Sequence, residues 1–189
     1  MKKILTWIRR LILVSIALVV SFVGYSLFRV YQATTPVESI SKYESVLATW
    51  KQRGLVDHFP SRVPDSASEV RFSALEGFLQ GGGHIQIRFK LPQARIESYY
   101  EDASSKAKQF QDGGDAVTLV NSSDDGLWST NPHTLDKSYS KFPDDYRIFI
   151  YDAVPYQQDE EYKNWNHGAS KGVVISLKRS EVIYYAEDW

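Results

Sequence analysis

The sequence predicts an α+β domain, a mostly antiparallel sheet with helices packed on one face, preceded by one N-terminal transmembrane helix. Three observations predict it. Residues Leu11 to Phe28 form an uncharged apolar run. His84 to Leu91 alternates apolar and polar residues without a fault, which is the signature of a half-buried strand. Two segments, after Thr35 and after Pro92, repeat apolar residues at three- and four-residue spacing, as helices do.

The apolar run has eighteen positions, which at helical rise spans roughly 27 Å of hydrocarbon. Ser15, Ser21, Tyr25 and Ser26 interrupt it, but their hydroxyls can bond back to helix carbonyls. Trp7 and Tyr31 suit the two interfaces. Charge divides sharply around this segment. The net charge is −1, from 22 basic and 23 acidic residues. Lys2, Lys3, Arg9 and Arg10 precede every acid, the first being Glu38, so the remainder carries 22 − 4 = 18 basic against 23 acidic groups, or −5. A basic head and a single Arg29 behind the span predict a cytoplasmic N-terminus and an extracytoplasmic remainder. A cleaved signal fits less well, because Tyr31-Gln32-Ala33 places bulky Tyr where a small residue is required. There is no cysteine, which excludes disulfides, a cysteine nucleophile and a lipid-modified cysteine anchor. The expected organisation is a basic tail over 1–10, a transmembrane helix over 11–31, a juxtamembrane helix over 32–54 and an outer domain over 55–189.

Within the remainder, Thr35-Pro36-Val37-Glu38 reads as a helix start: an N-cap, Pro at the first helical position and a capping-box acid. Val37, Ile40, Tyr43, Val46, Leu47 and Trp50 make its apolar stripe, and Gly54 is a plausible end. This helix either stands between membrane and domain or packs on the domain. Leu55 to Ala67 reads as an ordered loop, because Leu55, Val56, Phe59 and Val63 require burial. Glu69 to Ala74 and His84 to Leu91 read as a hairpin joined by the glycine-rich Gly77–Gly83. Pro92 opens a further helix with Ile96, Tyr99, Tyr100, Ala103, Ala107 and Phe110 on one face. Ala116 to Val120 reads as a short strand and Asn121 to Phe142 as loop. Apart from Arg147 and Asp152, Tyr146 to Ala153 is apolar on both faces, as a central strand is. Val154 to Lys171 reads as a long polar loop, and Gly172–Leu177 and Glu181–Ala186 as two strands joined by a tight turn.

Motifs that carry chemistry are sparse. The four histidines, His58, His84, His133 and His167, show no HxH or HxxxH spacing. There is no GxSxG, GxGxxG or GxxxxGK[ST]. Asp124-Asp125-Gly126 lacks the ligand spacing of a calcium loop. Asn121-Ser122-Ser123 matches a glycosylation sequon, a pattern common by chance. No catalytic set, metal site or cofactor is therefore predicted, and the acidic remainder argues against nucleic acid as a partner.

Two groups of residues are candidates for binding. His84, Arg88 and Lys90 line one face of the clearest strand, a basic stripe able to hold an anionic ligand or simply to face water. Phe78 and Leu79 in the glycine-rich loop, with Tyr156, Tyr162 and Trp165 in the later polar segment, are candidate contacts for a protein partner. The expectation is a membrane-tethered binding or accessory module of the cell envelope. One alternative is a tethered hydrolase in which His133 or His167 meets Asp124, Asp125 or Asp159. Another is a structural subunit of a membrane complex.

Overall fold

The computed structural model describes residues 2–77, 82–114, 142–158 and 163–188, with backbone alone at 2–6, 9, 155–158 and 163–167. The chain divides into two compact units, Met1–Thr35 and Pro36–Trp189. The first is a single helix, α1 (Lys2–Thr34). Its stretch Arg10–Thr34 is long and apolar enough to cross a membrane. Side chains such as Leu11, Val19, Phe22 and Leu27 are exposed all around it, so this helix has no polar face of its own. Ser26 and Thr34 donate their hydroxyls to the carbonyls of Phe22 and Val30, which removes the cost of a lone hydroxyl in an apolar stretch.

The second unit is α+β, with two helices and, among the described residues, a six-stranded antiparallel sheet ordered β1-β2-β6-β5-β4-β3. The strands are β1 (Ser68–Leu75), β2 (Gly83–Lys90), β3 (Gln109–Asp112), β4 (Arg147–Gln158), β5 (Lys163–Ser176) and β6 (Glu181–Asp188). β1 and β2 form the expected hairpin. α3 (Gln93–Lys106) then carries the chain to the far edge, from which β3 to β6 run as a meander. β6 finally inserts beside β2, with Gln86 opposite Tyr185 and Arg88 opposite Ile183. The β5–β6 turn closes on Ser180, which adopts a positive φ of 53° and accepts a hydrogen bond from Leu91.

Three expectations are corrected. The helix predicted to begin at Thr35 begins later: a 3₁₀ turn covers Ile40–Lys42, and α2 runs Tyr43–Lys51. The reason is the edge of β1. Val37 exchanges both backbone hydrogen bonds with Ala74, at 2.7 and 3.0 Å, so its N–H and C=O are not available to a helix. Phe110 does not continue the second helical face. The chain turns extended at Ala107, and Phe110 pairs with Phe149 in β3. The predicted loop after Val154 is for the most part strand, since β4 and β5 remain paired out to Gln158 and Lys163. Its polar composition hides it because β6 accompanies β5 only from Ala169 onward. The predicted strand at Ala116–Val120 and nearly all of the loop that follows it lie outside the described residues.

The helix after α1 packs on the domain: Tyr43, Leu47 and Trp50 are buried in the main core with Ile96 and Ala103 of α3. They cover Phe72, Ile85, Ile87, Phe89, Phe149, Val173 and Val182 on one face of the sheet. The Tyr43 hydroxyl donates to the Pro60 carbonyl, which ties the segment after α2 to this core. α2 is capped by Gln52 rather than by Gly54, which follows two residues later in the turn with a φ of +71°, a conformation that glycine adopts without steric cost. Ile148, Ile150, Val174, Ile183 and Tyr185 form a second apolar cluster with Phe142 and Tyr146. By strand alternation the five strand residues of this cluster, Ile148, Ile150, Val174, Ile183 and Tyr185, sit on the opposite face.

Candidate functional site

Alternation places His84, Gln86, Arg88 and Lys90 together on the face opposite the helices. Residues directly opposed across the ladders share a face, which adds Ser73, Tyr185, Glu181, Ser176 and Ser170. The buried polar side chains among the described residues, Ser73, Gln86, Ser170, Ser176 and Glu181, all fall on this face. The sheet is thus apolar where the helices cover it and carries a buried polar row on the other side.

The basic stripe is half-buried and neutralised rather than open to water. Arg88 Nη2 lies 2.7 Å from Glu181 Oε2, with side-chain exposures of 15 % and 1 %. The Tyr146 hydroxyl donates to the other carboxylate oxygen at 2.7 Å. Burial raises the Tyr146 hydroxyl well above its ordinary range, and the neighbouring Glu181 adds to that. Lys90 pairs with Glu69 at 2.7 Å, in a far more exposed setting. The Lys90 hydrogen bond holds the Glu69 carboxyl below its ordinary range. Glu69 stands at an irregularity of β1 with a positive φ of 50°. His84 Nε2 lies 3.2 Å from the Ser73 hydroxyl.

A second charged cluster lies beside the first. Arg179 grips Asp145 through two nitrogens, at 2.7 and 3.1 Å, and Ser176 donates to the same carboxylate. The arginine depresses the Asp145 carboxyl below its usual value. The Arg179 guanidinium also lies over the Tyr146 ring at 5.3 Å. Chemically, these arrangements are paired charges: an anion arriving at Arg88 competes with a buried carboxylate, whereas one arriving at Lys90 competes with an exposed one.

On the helix side of the sheet, His58 is held against the strands. Its Nε2 lies 3.0 Å from the Gly172 carbonyl and 3.1 Å from the Tyr185 carbonyl. Its ring meets Phe59, Tyr151 and Tyr184. Burial drives its pKa from 6.5 down to about 4.

Of the residues predicted as contacts, His84, Arg88 and Lys90 share one strand face as expected. Glu181, Tyr146 and Asp145 complete this polar row and carry no recognisable motif in the sequence. The signal for Glu181 was a lone acid opening the otherwise apolar Val182–Ala186 stretch. Phe78, Leu79 and Tyr162 lie outside the described residues. Tyr156 and Trp165 belong by backbone to β4 and β5 rather than to a loop. Asp124, Asp125, His133 and Asp159 also lie outside the described residues, and His167 is described by backbone alone. Among the described residues no cluster of three or more His, Asp or Glu is placed to hold a metal ion. The chain matches no known protein family, no curated protein and no solved structure.

Proposed function

We propose that this is a single-pass membrane protein whose C-terminal α+β domain lies outside the cytoplasm and serves as a binding or accessory module of the cell envelope. The observation that carries the reading is the helix Arg10–Thr34, apolar on every side, joined to a domain with a core of its own. The basic residues ahead of that helix support the orientation. In this reading His84, Arg88 and Lys90 are the anion-facing contacts, with Lys90 more accessible than Arg88 and paired to an exposed carboxylate. Phe78, Leu79, Tyr156, Tyr162 and Trp165 are the contacts for a protein partner.

The test has two parts. Alkaline carbonate washing of isolated membranes should leave the chain in the pellet, and release into the supernatant contradicts the anchor. A photo-crosslinking residue at Trp165 or Lys90 should then yield a discrete adduct in intact membranes. A crosslinker at the solvent-facing Ser98 of α3 serves as the control. Adducts equal at all three positions, or none, contradict the binding role.

A further inference from the structure

His58 makes an unusual set of contacts for a residue in a connecting segment. Both groups facing its Nε2, the carbonyls of Gly172 and Tyr185, can only accept hydrogen bonds, so Nε2 carries the proton. The neutral ring then keeps its lone pair on Nδ1. That atom is buried and has no hydrogen-bond partner among the described residues. Around the ring stand Phe59 at 4.8 Å, Tyr151 at 5.3 Å and Tyr184 at 6.1 Å between centroids. Because Gly172 and Tyr185 are opposed residues of β5 and β6, one imidazole fastens the connecting segment to both central strands.

We propose that His58 is an acid-sensitive latch, holding the Leu55–Val63 segment on β5 and β6 while neutral and releasing it when protonated. A proton can enter only at Nδ1, which would become a charged donor facing aromatic rings with no acceptor. The surroundings do not favour that charge. Lys171 on β5, whose Nζ donates to the Gly54 carbonyl at 3.1 Å, opposes it. Asp57 on the same segment favours it, but is outweighed by burial. β4 and β6 contribute the neutral hydroxyls of Tyr151 and Tyr184, both raised by burial. From α3, Asp102 acts on both of those tyrosines and Tyr99 on Tyr184. Once the segment lifts, the imidazole reaches water and regains its ordinary affinity for protons, so acid favours the lifted state. Val56 and Phe59, buried with the segment, would leave the core with it and uncover Tyr151 and Tyr184. The latch belongs to the domain and does not depend on which compartment the domain occupies.

Hydrogen exchange of the full chain in detergent micelles, read by mass spectrometry and corrected for intrinsic rates, tests this. Protection of amides over 55–63, relative to those of β2 and β6, should fall about tenfold per pH unit between roughly 6.5 and 4. His58→Gln retains an N–H donor but cannot titrate, and should flatten that dependence. An unchanged ratio across this range, or the same slope in H58Q, overturns the proposal. Should H58Q fail to fold, nitrogen NMR of the wild-type imidazole decides instead. An Nε2–H tautomer persisting to about pH 4, lost together with protection of the segment, supports the latch. An imidazole titrating near 6.5 without loss of protection contradicts it.

Discussion

The Tyr146 hydroxyl donates a 2.7 Å hydrogen bond to Glu181, a carboxylate whose other oxygen holds Arg88 at 2.7 Å. Three residues distant in sequence thereby meet on one face of the sheet, with Glu181 1 % exposed. A carboxylate taken this far from water is tolerable only because both oxygens are engaged. Removing one partner should therefore cost more than removing the pair. Arg88→Met alone should destabilise the domain by about 3 kcal/mol or more, while Arg88→Met combined with Glu181→Leu should recover much of the loss. Denaturant unfolding of the four members of this cycle measures it, and additive losses would count against a coupled buried pair.

The Lys90–Glu69 pair should behave differently. Its geometry is as short, but Glu69 is 63 % exposed, and such pairs hold little stability. Glu69→Gln should leave the unfolding midpoint unchanged at moderate salt. A clear drop would show that the pair pins the irregular segment of β1.

Gly172 is fixed by close approach rather than by conformation. A Cβ there would lie 2.0 Å from the Phe149 carbonyl and 2.9 Å from the Tyr185 hydroxyl. The first of these is backbone in the paired strand and cannot rotate away. Gly172→Ala should cost on the order of 3 kcal/mol or more, seen as a lower melting temperature and loss of the β4–β5 amide protection. A near-neutral effect would mean that the two strands separate more easily than their pairing implies.

The pH dependence of stability should show two limbs. His58 has its pKa lowered from 6.5 to about 4 on folding, so the unfolded chain binds the proton more readily. Stability is then lost as pH falls from about 6.5 and levels off below about 4, by a total on the order of 3 kcal/mol. Asp145 acts at lower pH. Its carboxyl is depressed below 3.8 by Arg179, so its contribution is complete above that value and is lost as acid protonates it. Urea midpoints between pH 7 and pH 2 should separate the limbs, and His58→Gln should abolish the first while sparing the second.

Much of the architecture is readable locally. The faultless alternation of β2, the Pro92 boundary of α3 and the turn at Lys178–Ser180 each depend on residues a few positions apart, and each stands where expected. What escapes is set by distant partners. Val37 leaves the helix because Ala74 claims its backbone. Phe110 extends the i, i+3 and i, i+4 spacing of α3 so well that its strand identity emerges only from pairing with Phe149. The neutralisation of Arg88 depends on the register that sets β6 against β2, which no local pattern in either strand specifies. His58 looks like an ordinary loop residue until two strand carbonyls are placed under its ring.

In the proposed topology one helix crosses the membrane and the domain lies on the outer side. Because the chain has no cysteine, single cysteines are unambiguous reporters. Lys3→Cys precedes the span, and Ser98→Cys lies on the exposed side of α3. A membrane-impermeant maleimide applied to cells with an intact cytoplasmic membrane should label S98C and leave K3C unmodified until that membrane is opened. Labelling of K3C with protection of S98C, or labelling of both, would contradict the account.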